Sequence, residues 1–415
     1  MISVASAIEI ALSQARVADA VCTSLQQASG RVLAEDILSD IDMPPFDKSS
    51  MDGYALQAAA TATAPVTLQV VGTIPAGVFP HFEVGPSQAA KIMTGAPLPK
   101  GADSVQMVEK TVPGQEESVQ ILEAVAAGQH VAKRGEVLRS QACVLSTGSY
   151  IGPQVLALLA TVGREEVLTY ACPRVGVLVT GDELVDISKY PAPGQIRNSN
   201  GYALLGQVQE TGIEAVPLGI VSDDPKELSK KIRTGLANDV LLITGGVSMG
   251  EFDLVEKLLT EAGAEILFEA VNIKPGKPAV FGKAGKTLIF GLPGNPVSAS
   301  TVFEVIVRPV LRKMMGFERF ENIKVRARLT APFKSRTSRE NYLPGWADVF
   351  AGKFVVHPVA SMGSADVFAH ARSNCYVIAP PEIDEFDEGE ELDVMLRSDF
   401  WHGNARQSNL VTPLK

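Results

Sequence analysis

Between Cys172 and Met315 short, wholly apolar runs alternate with amphipathic ones, and this rhythm constrains the fold more than any other feature of the sequence. RVGVLVTGDE reads as a buried strand entering a polar loop, NGYALLGQVQETG as a helix stopped by Gly212, and IEAVPLG as a second strand. SDDPKELSKKIRTGLA reads as a helix capped by Asp224, with Pro225 in its first position. DVLLITGG is a third strand and FDLVEKLLTEAG a third helix; TLIFGLPGNP is a further strand that leads into a long apolar helix ending near Met315. Strands made of Val, Ile and Leu throughout must be covered on both faces, so a parallel, doubly wound α/β sheet is expected.

The flanks follow other periods. Val4, Ile8, Ala11, Leu12 and Ala15 recur at helical spacing after a candidate cap, Ser3. From Thr67 to Val144 short apolar runs are broken by Gly and Pro, which predicts a β-rich segment with many turns, and Ile151–Val162 reads as a helix begun by Gly152-Pro153. In NIKVRARLTA, Ile323, Val325, Ala327 and Leu329 alternate with charged residues, as in a half-buried antiparallel strand. GKFVVHPV, CYVIAPP and GEELDVMLR continue that theme, so a small β-barrel or sandwich is expected to close the chain, with a loose tail after Asp399. A length of 415 residues fits two to four domains at about 150 residues each.

Charge and cysteine usage narrow the partners. With 37 Lys plus Arg against 47 Asp plus Glu the net charge is −10, the wrong sign for tracking a nucleic-acid backbone. Cys22, Cys143, Cys172 and Cys375 form no C-x-x-C pair and no disulfide framework. No apolar run reaches the roughly 18 residues of a membrane span. The N-terminus lacks the basic flank of a signal peptide and carries Glu9 in its apolar stretch, so a cytoplasmic protein is expected.

In an open parallel sheet ligands gather at the carboxyl ends of the strands, and three such ends carry unusual loops. The first holds Thr180, Gly181, Asp182 and Glu183; the second Thr244, Gly245, Gly246, Ser248 and, at a helix start, Asp253. The third holds Pro293, Gly294, Asn295, Pro296 and Ser298. Taken singly, each is a tight turn and Asp253 a helix-start charge. Together, glycines that admit a bulky group, helix N-termini that face anions and nearby carboxylates point to a phosphate held with a divalent cation. No G-x-G-x-x-G and no G-x-x-x-x-G-K-[ST] is present, so neither a dinucleotide site nor a Walker-type NTPase is supported. Lys274 and Lys277 flank a Pro-Gly turn that, alone, could be a solvated surface feature, and MPPFDKSSMDGYA crowds Asp42, Asp47 and Asp52 into one polar loop.

The motifs MPPFDKSSMDGYA, IMTGAPLPKGADSV, TGDEL, GQIRNSN, GGVSMGEFD, KPGKP and GLPGNPVSA, in this order across roughly residues 1–396, resemble one family: the MoeA-type molybdopterin molybdenumtransferases, to which the gephyrin E domain is similar. The resemblance implies four-part subunits. These are residues 1–22 with 40–50 and 137–171 as an elongated dimerisation part, 23–39 with 51–136 as a β-rich part, 172–320 as the α/β molybdopterin-binding domain, and 321–400 as the barrel, before a tail at 401–415. It also implies a homodimer whose cleft lies between the α/β domain of one subunit and the β-rich part of the other. The implied activity is Mg²⁺-dependent insertion of molybdate into adenylylated molybdopterin with release of AMP, with a possible transient contact to the molybdopterin adenylyltransferase.

Carried over by motif, Asp52, Thr94, Glu183, Asp223 and Asp253 are the implied catalytic set, with Asp52, Glu183 and Asp253 as metal ligands. Thr180, Gly181, Asp182, Ser199, the TGG loop (Gly245, Gly246, Ser248) and the GLPGNP loop would bind the pterin and its phosphate. Lys274, Lys277 and Ser298, with Arg339 and Ser361 from the last domain, would hold molybdate. Two departures stand out: Val137 occupies the place of an active-site Asp in the family's G-x-N-[IV]-R-x-x-G-E-D loop, and Lys48 that of a common Asn. Valine cannot ligate a cation, which implies weaker or rearranged metal binding. It also leaves open a second reading, a molybdopterin-binding scaffold with reduced turnover.

Overall fold

The computed structural model describes residues 1–245, 252–398 and 400, with Phe252 and Asp253 described by backbone alone. The described residues fall into two compact units. One comprises Glu35–Thr147 and Pro153–Val167; the other comprises Met1–Ala34, Gly148–Gly152 and the chain from Leu168 onward.

The second of these contains the α/β domain. Its six-stranded sheet runs in the order Ala215–Val221, Val175–Thr180, Val240–Thr244, Thr287–Leu292, Val280–Ala284, Glu265–Phe268. The first four strands are parallel, as expected from their apolar composition. Successive residues of each strand enter opposite cores: Val175, Val177, Val240 and Leu242 pack with Leu204 and Val302 on one face. Leu178, Leu241 and Ile243 pack with Leu228, Ile232 and Leu258 on the other. Asp224 caps the Pro225–Gly235 helix, its side chain accepting from the backbone N–H groups of Lys226 and Glu227. The N-terminal Val4–Gln14 helix buries Val4, Ala7 and Ala11 in the first core, and Ser3 accepts from Ser6 N–H at its start.

Two features depart from the expected all-parallel sheet and smooth final helix. One strand, Val280–Ala284, runs antiparallel to both its neighbours, because the turn at Gly285 (φ +58°) folds it back on Thr287–Leu292 as a hairpin. The long helix from Pro296 to Met314 contains a π-helical turn at Phe303–Val307. Pro309 lacks an N–H and its ring crowds the carbonyl of Val305, so a regular α-turn cannot continue there.

In the same unit Glu340–Phe350, Lys353–Pro358, Lys324–Leu329, Glu391–Leu396 and Cys375–Ala379 pair in a closed ring, a five-stranded barrel. Its interior is filled by Ala327, Leu329, Val356, Val377 and Val394. The tail read at 401–415 lies outside the described residues.

The other unit is built on a mixed six-stranded sheet, ordered Ser104–Met107, Gly53–Leu56, Gln88–Ile92, Val66–Ile74, Ser118–Ile121, Thr111–Pro113. Its two faces bury separate clusters, Leu56, Leu68 and Ile121 on one and Ile74, Ile92 and Val105 on the other. Among the described residues no helix is long and apolar enough to cross a membrane.

Candidate functional site

The carboxyl ends of Val175–Thr180, Val240–Thr244 and Thr287–Leu292 open onto a cavity of about 730 Å³. Thr180, Glu183, Ser199, Gly245, Pro293, Gly294, Asn295 and Pro296 line it, joined by Ala365 and Val367 from the barrel domain. The helices starting at Asn200 and Pro296 both begin in its wall, so their unpaired N–H groups favour an anion there.

Local geometry follows from the glycines. Gly245 has φ +95°, and a Cβ there would lie 1.8 Å from the Thr180 carbonyl oxygen. Only glycine lets the second turn lie this close to the first. Gly294 in turn approaches Gly245, where an added Cβ would sit 3.7 Å from the Gly245 Cα.

Asp182 and Asp223 each engage one carboxylate oxygen in the loop. Asp223 N–H donates to Asp182 Oδ1 at 3.0 Å, and the buried Thr180 hydroxyl donates to Asp223 Oδ1 at 2.5 Å. Gly181, Asp182 and Asp223 stand outside the wall, and Asp223 touches it through Thr180. Glu183 is the carboxylate in the wall, and its backbone carbonyl accepts from Ile196 N–H. Gly246, Ser248 and the side chain of Asp253 lie outside the described residues. Among those described, no three His, Cys, Asp or Glu side chains converge as a metal-ligating group. One carboxylate in the described wall of an anion-favouring cavity nevertheless suits Mg²⁺, which takes one or two protein carboxylates and completes its shell with phosphate oxygens and water.

A second cavity, of about 680 Å³, adjoins the first and shares Asn295 and Pro278 with it. Lys274, Lys277, Ser298, Arg339 and Ser361, scattered over nearly ninety residues, all line it. Lys334 and Arg336 add two more cations, both facing Glu385. No carboxylate is in the described wall, so the cavity is positive, as a tetrahedral dianion requires. Arg339 is aimed by its own donation to the Ile273 carbonyl at 3.1 Å. Asn295 Nδ2 donates to Ser364 Oγ at 3.0 Å, fastening the GLPGNP loop to the barrel domain.

Asp52 and Thr94 belong to the other unit and meet there. Both the backbone N–H and the hydroxyl of Thr94 donate to Asp52 Oδ1, at 2.7 and 2.9 Å. Those two bonds, the backbone one first, hold the exposed Asp52 carboxyl below its usual range, so it is ionised at neutral pH. The neighbouring Asp42 and Asp47 serve the loop: Asp42 accepts from Arg134 Nε and Ser140 N–H, and Asp47 from Arg134 N–H and Lys133 Nζ. Val137, on that tied loop, is 78% exposed.

Ser199 of GQIRNSN stands in the first cavity's wall, and its side chain makes no cap bond to the helix that follows. Its neighbours carry the side-chain bonds of that turn. Asn200 Nδ2 donates to Thr244 Oγ1 and to the Gly294 carbonyl, Asn198 Oδ1 accepts from Gly201 N–H, and Arg197 is the cation in the first cavity's described wall. The signal available was two asparagines bracketing a helix start, a spacing that predicts side-chain to backbone bonding.

Three family models match in succession: the MoeA N-terminal region (domain I and II) over residues 2–163, a probable molybdopterin binding domain over 176–313, and the MoeA C-terminal region (domain IV) over 326–396. The chain is similar to the molybdopterin molybdenumtransferase of a Nostoc species, 36% identical over 373 residues that cover 87% of this chain and 85% of the relative. It is also similar to that of Bacillus subtilis, 34% identical over 387 residues, covering 90% and 89%. A crystal structure of a molybdopterin biosynthesis MoeA protein from a Pyrococcus species superposes with a TM-score of 0.81 at 33% identity, over 95% of this chain and 99% of that one.

Proposed function

The chain belongs to the molybdopterin molybdenumtransferase family, enzymes of molybdenum cofactor biosynthesis, and from that premise we propose that it inserts molybdate into adenylylated molybdopterin with Mg²⁺ and releases AMP. The observation that carries this reading is the pair of adjoining cavities with Asn295 and Pro278 in both walls, one suited to a phosphate, the other to a tetrahedral dianion. The glycine turns and two helix N-termini hold the pterin's phosphate, while Lys274, Lys277 and Arg339 hold molybdate beside it. Mg²⁺, when bound with Glu183 as a carboxylate ligand, offsets charge on the phosphate oxygens. Water cleaves the phosphoanhydride, and AMP leaves with the oxygen that bridged it or the one water supplies. The dithiolene sulfurs that take the molybdenum are the substrate's, so no side-chain nucleophile is required. The working form is a cytoplasmic homodimer, and Asp52 held by Thr94 is a carboxylate the reaction requires.

A single-turnover reaction of the full chain with adenylylated molybdopterin, molybdate and Mg²⁺ tests this, following AMP and protein-bound molybdenum together. Stoichiometric appearance of both is expected; molybdopterin binding without AMP would instead favour the scaffold reading. Asp52→Asn keeps the Thr94 bonds but removes the charge, and AMP release is expected to slow at least about tenfold with molybdopterin binding intact. Val137→Asp returns a carboxylate to an exposed position and is expected to tighten the Mg²⁺ half-saturation several-fold. An unchanged Mg²⁺ titration would remove Val137 as the cause of any metal weakness.

A further inference from the structure

We infer that Asn200 is a positioning residue that locks Thr244-Gly245 and the GLPGNP turn into one phosphate cradle and so sets the affinity for molybdopterin. This rests on the first cavity being the molybdopterin site. Asn200 is 8% exposed and stands in the cavity wall at the first turn of its helix. Its Nδ2 donates both protons, to Thr244 Oγ1 at 3.0 Å and to the Gly294 carbonyl at 2.7 Å. Thr244 Oγ1 passes its own proton to the Pro293 carbonyl at 3.0 Å.

The need for such a clamp comes from where the sheet ends. Val240–Thr244 and Thr287–Leu292 pair up to Thr244 opposite Leu292, and among the described residues no ladder bond continues beyond. Gly245 and Gly294 then lie side by side with no side chains to interlock. Two turns without a ladder keep a fixed spacing only if something bridges them, and Asn200 spans both from a third element. The preceding turn is itself set by Asn198 Oδ1, which accepts from Gly201 N–H at 2.9 Å.

A carboxamide is the group this arrangement requires. Two acceptors converge on one nitrogen, which only an –NH₂ satisfies at this length. Aspartate has the same shape but would set a carboxylate against the Gly294 carbonyl, and serine offers one proton on a shorter arm. Asn200 Oδ1 is buried and meets no donor among the described residues, so the donor side alone fixes the amide's orientation.

The test is equilibrium binding of molybdopterin to the full chain, read by pterin fluorescence, beside binding of molybdate and the thermal midpoint. Asn200→Ala and Asn200→Asp are expected to weaken molybdopterin about tenfold to hundredfold, with Asp the worse. Molybdate affinity, set by Lys274, Lys277 and Arg339, should stay within about twofold, because those residues are anchored elsewhere. Thr244→Val cuts the same clamp from its other end together with its own bond to the Pro293 carbonyl, so the double variant should be scarcely weaker than Thr244→Val alone. Unchanged molybdopterin affinity, additive single effects, or equal losses for molybdopterin and molybdate with a lowered midpoint would each overturn the inference. A wild-type chain that binds no molybdopterin would overturn the cavity assignment and this inference together.

Discussion

Gly245→Ala is expected to lower molybdopterin affinity at least about a hundredfold, roughly 2.7 kcal/mol. The new Cβ would stand 1.8 Å from the Thr180 carbonyl oxygen, where real Cβ atoms keep beyond 3.0 Å. Thr180 is fully buried at the end of a strand paired on both sides, so it cannot yield. The turn must therefore move by more than an ångström, and its φ of +95° is one that alanine resists in any case. That movement would carry Gly245 into Gly294 and strip Thr244 from Asn200. Gly206→Ala is the matched control: it lies within the Asn200–Gln209 helix, a Cβ there meets nothing within 4 Å, and a gain of about 0.5–1 kcal/mol is expected. A fluorescence titration and a melting curve on both variants decide the matter. Wild-type affinity in Gly245→Ala would mean that the two turns do not form the phosphate cradle.

Glu304→Gln is expected to cost roughly 3–5 kcal/mol and to lower the melting temperature of its unit by about 10 °C. Arg308 and Glu304 side chains are each 6% exposed and joined by two bonds, Nε to Oε2 at 2.7 Å and Nη2 to Oε1 at 2.9 Å. Burial pulls the Arg308 pKa down, but Glu304 and then Glu210 more than reverse it, and the guanidinium is held above its ordinary value. Glutamine keeps the shape and loses the charge, leaving a buried cation whose remaining counter-ion among the described residues is the half-exposed Glu210. Replacing both partners, Glu304→Leu with Arg308→Met, should recover most of the loss, since the penalty lies in the unpaired charge and not in the packing. Equal melting temperatures for the single and double variants would contradict that account.

Much of the architecture was legible in the residues because it is written locally. The Asp224-Pro225 cap, the apolar strands of the central sheet and the alternation in Lys324–Leu329 each lie within a dozen consecutive positions. The antiparallel edge was not legible: KPAVFG read as the end of a basic turn, and only the fold-back at Gly285 makes Val280–Ala284 a strand. Asp42 and Asp47 looked as functional as Asp52, since their side-chain partners lie 86 to 98 residues along the chain.

Periodicity, caps and glycine-bearing strand ends thus determined the element types and the edge of the sheet where a ligand collects. They act between near neighbours, so the order of residues suffices. The tertiary structure alone decided which distant side chains share a wall. It gathered Lys274, Lys277, Ser298, Arg339 and Ser361 into one positive cavity, and it put Asn200 between the two glycine turns. Those choices depend on strand pairing and domain packing, and a hydrogen bond spanning 94 residues leaves no trace in the spacing of the residues it joins.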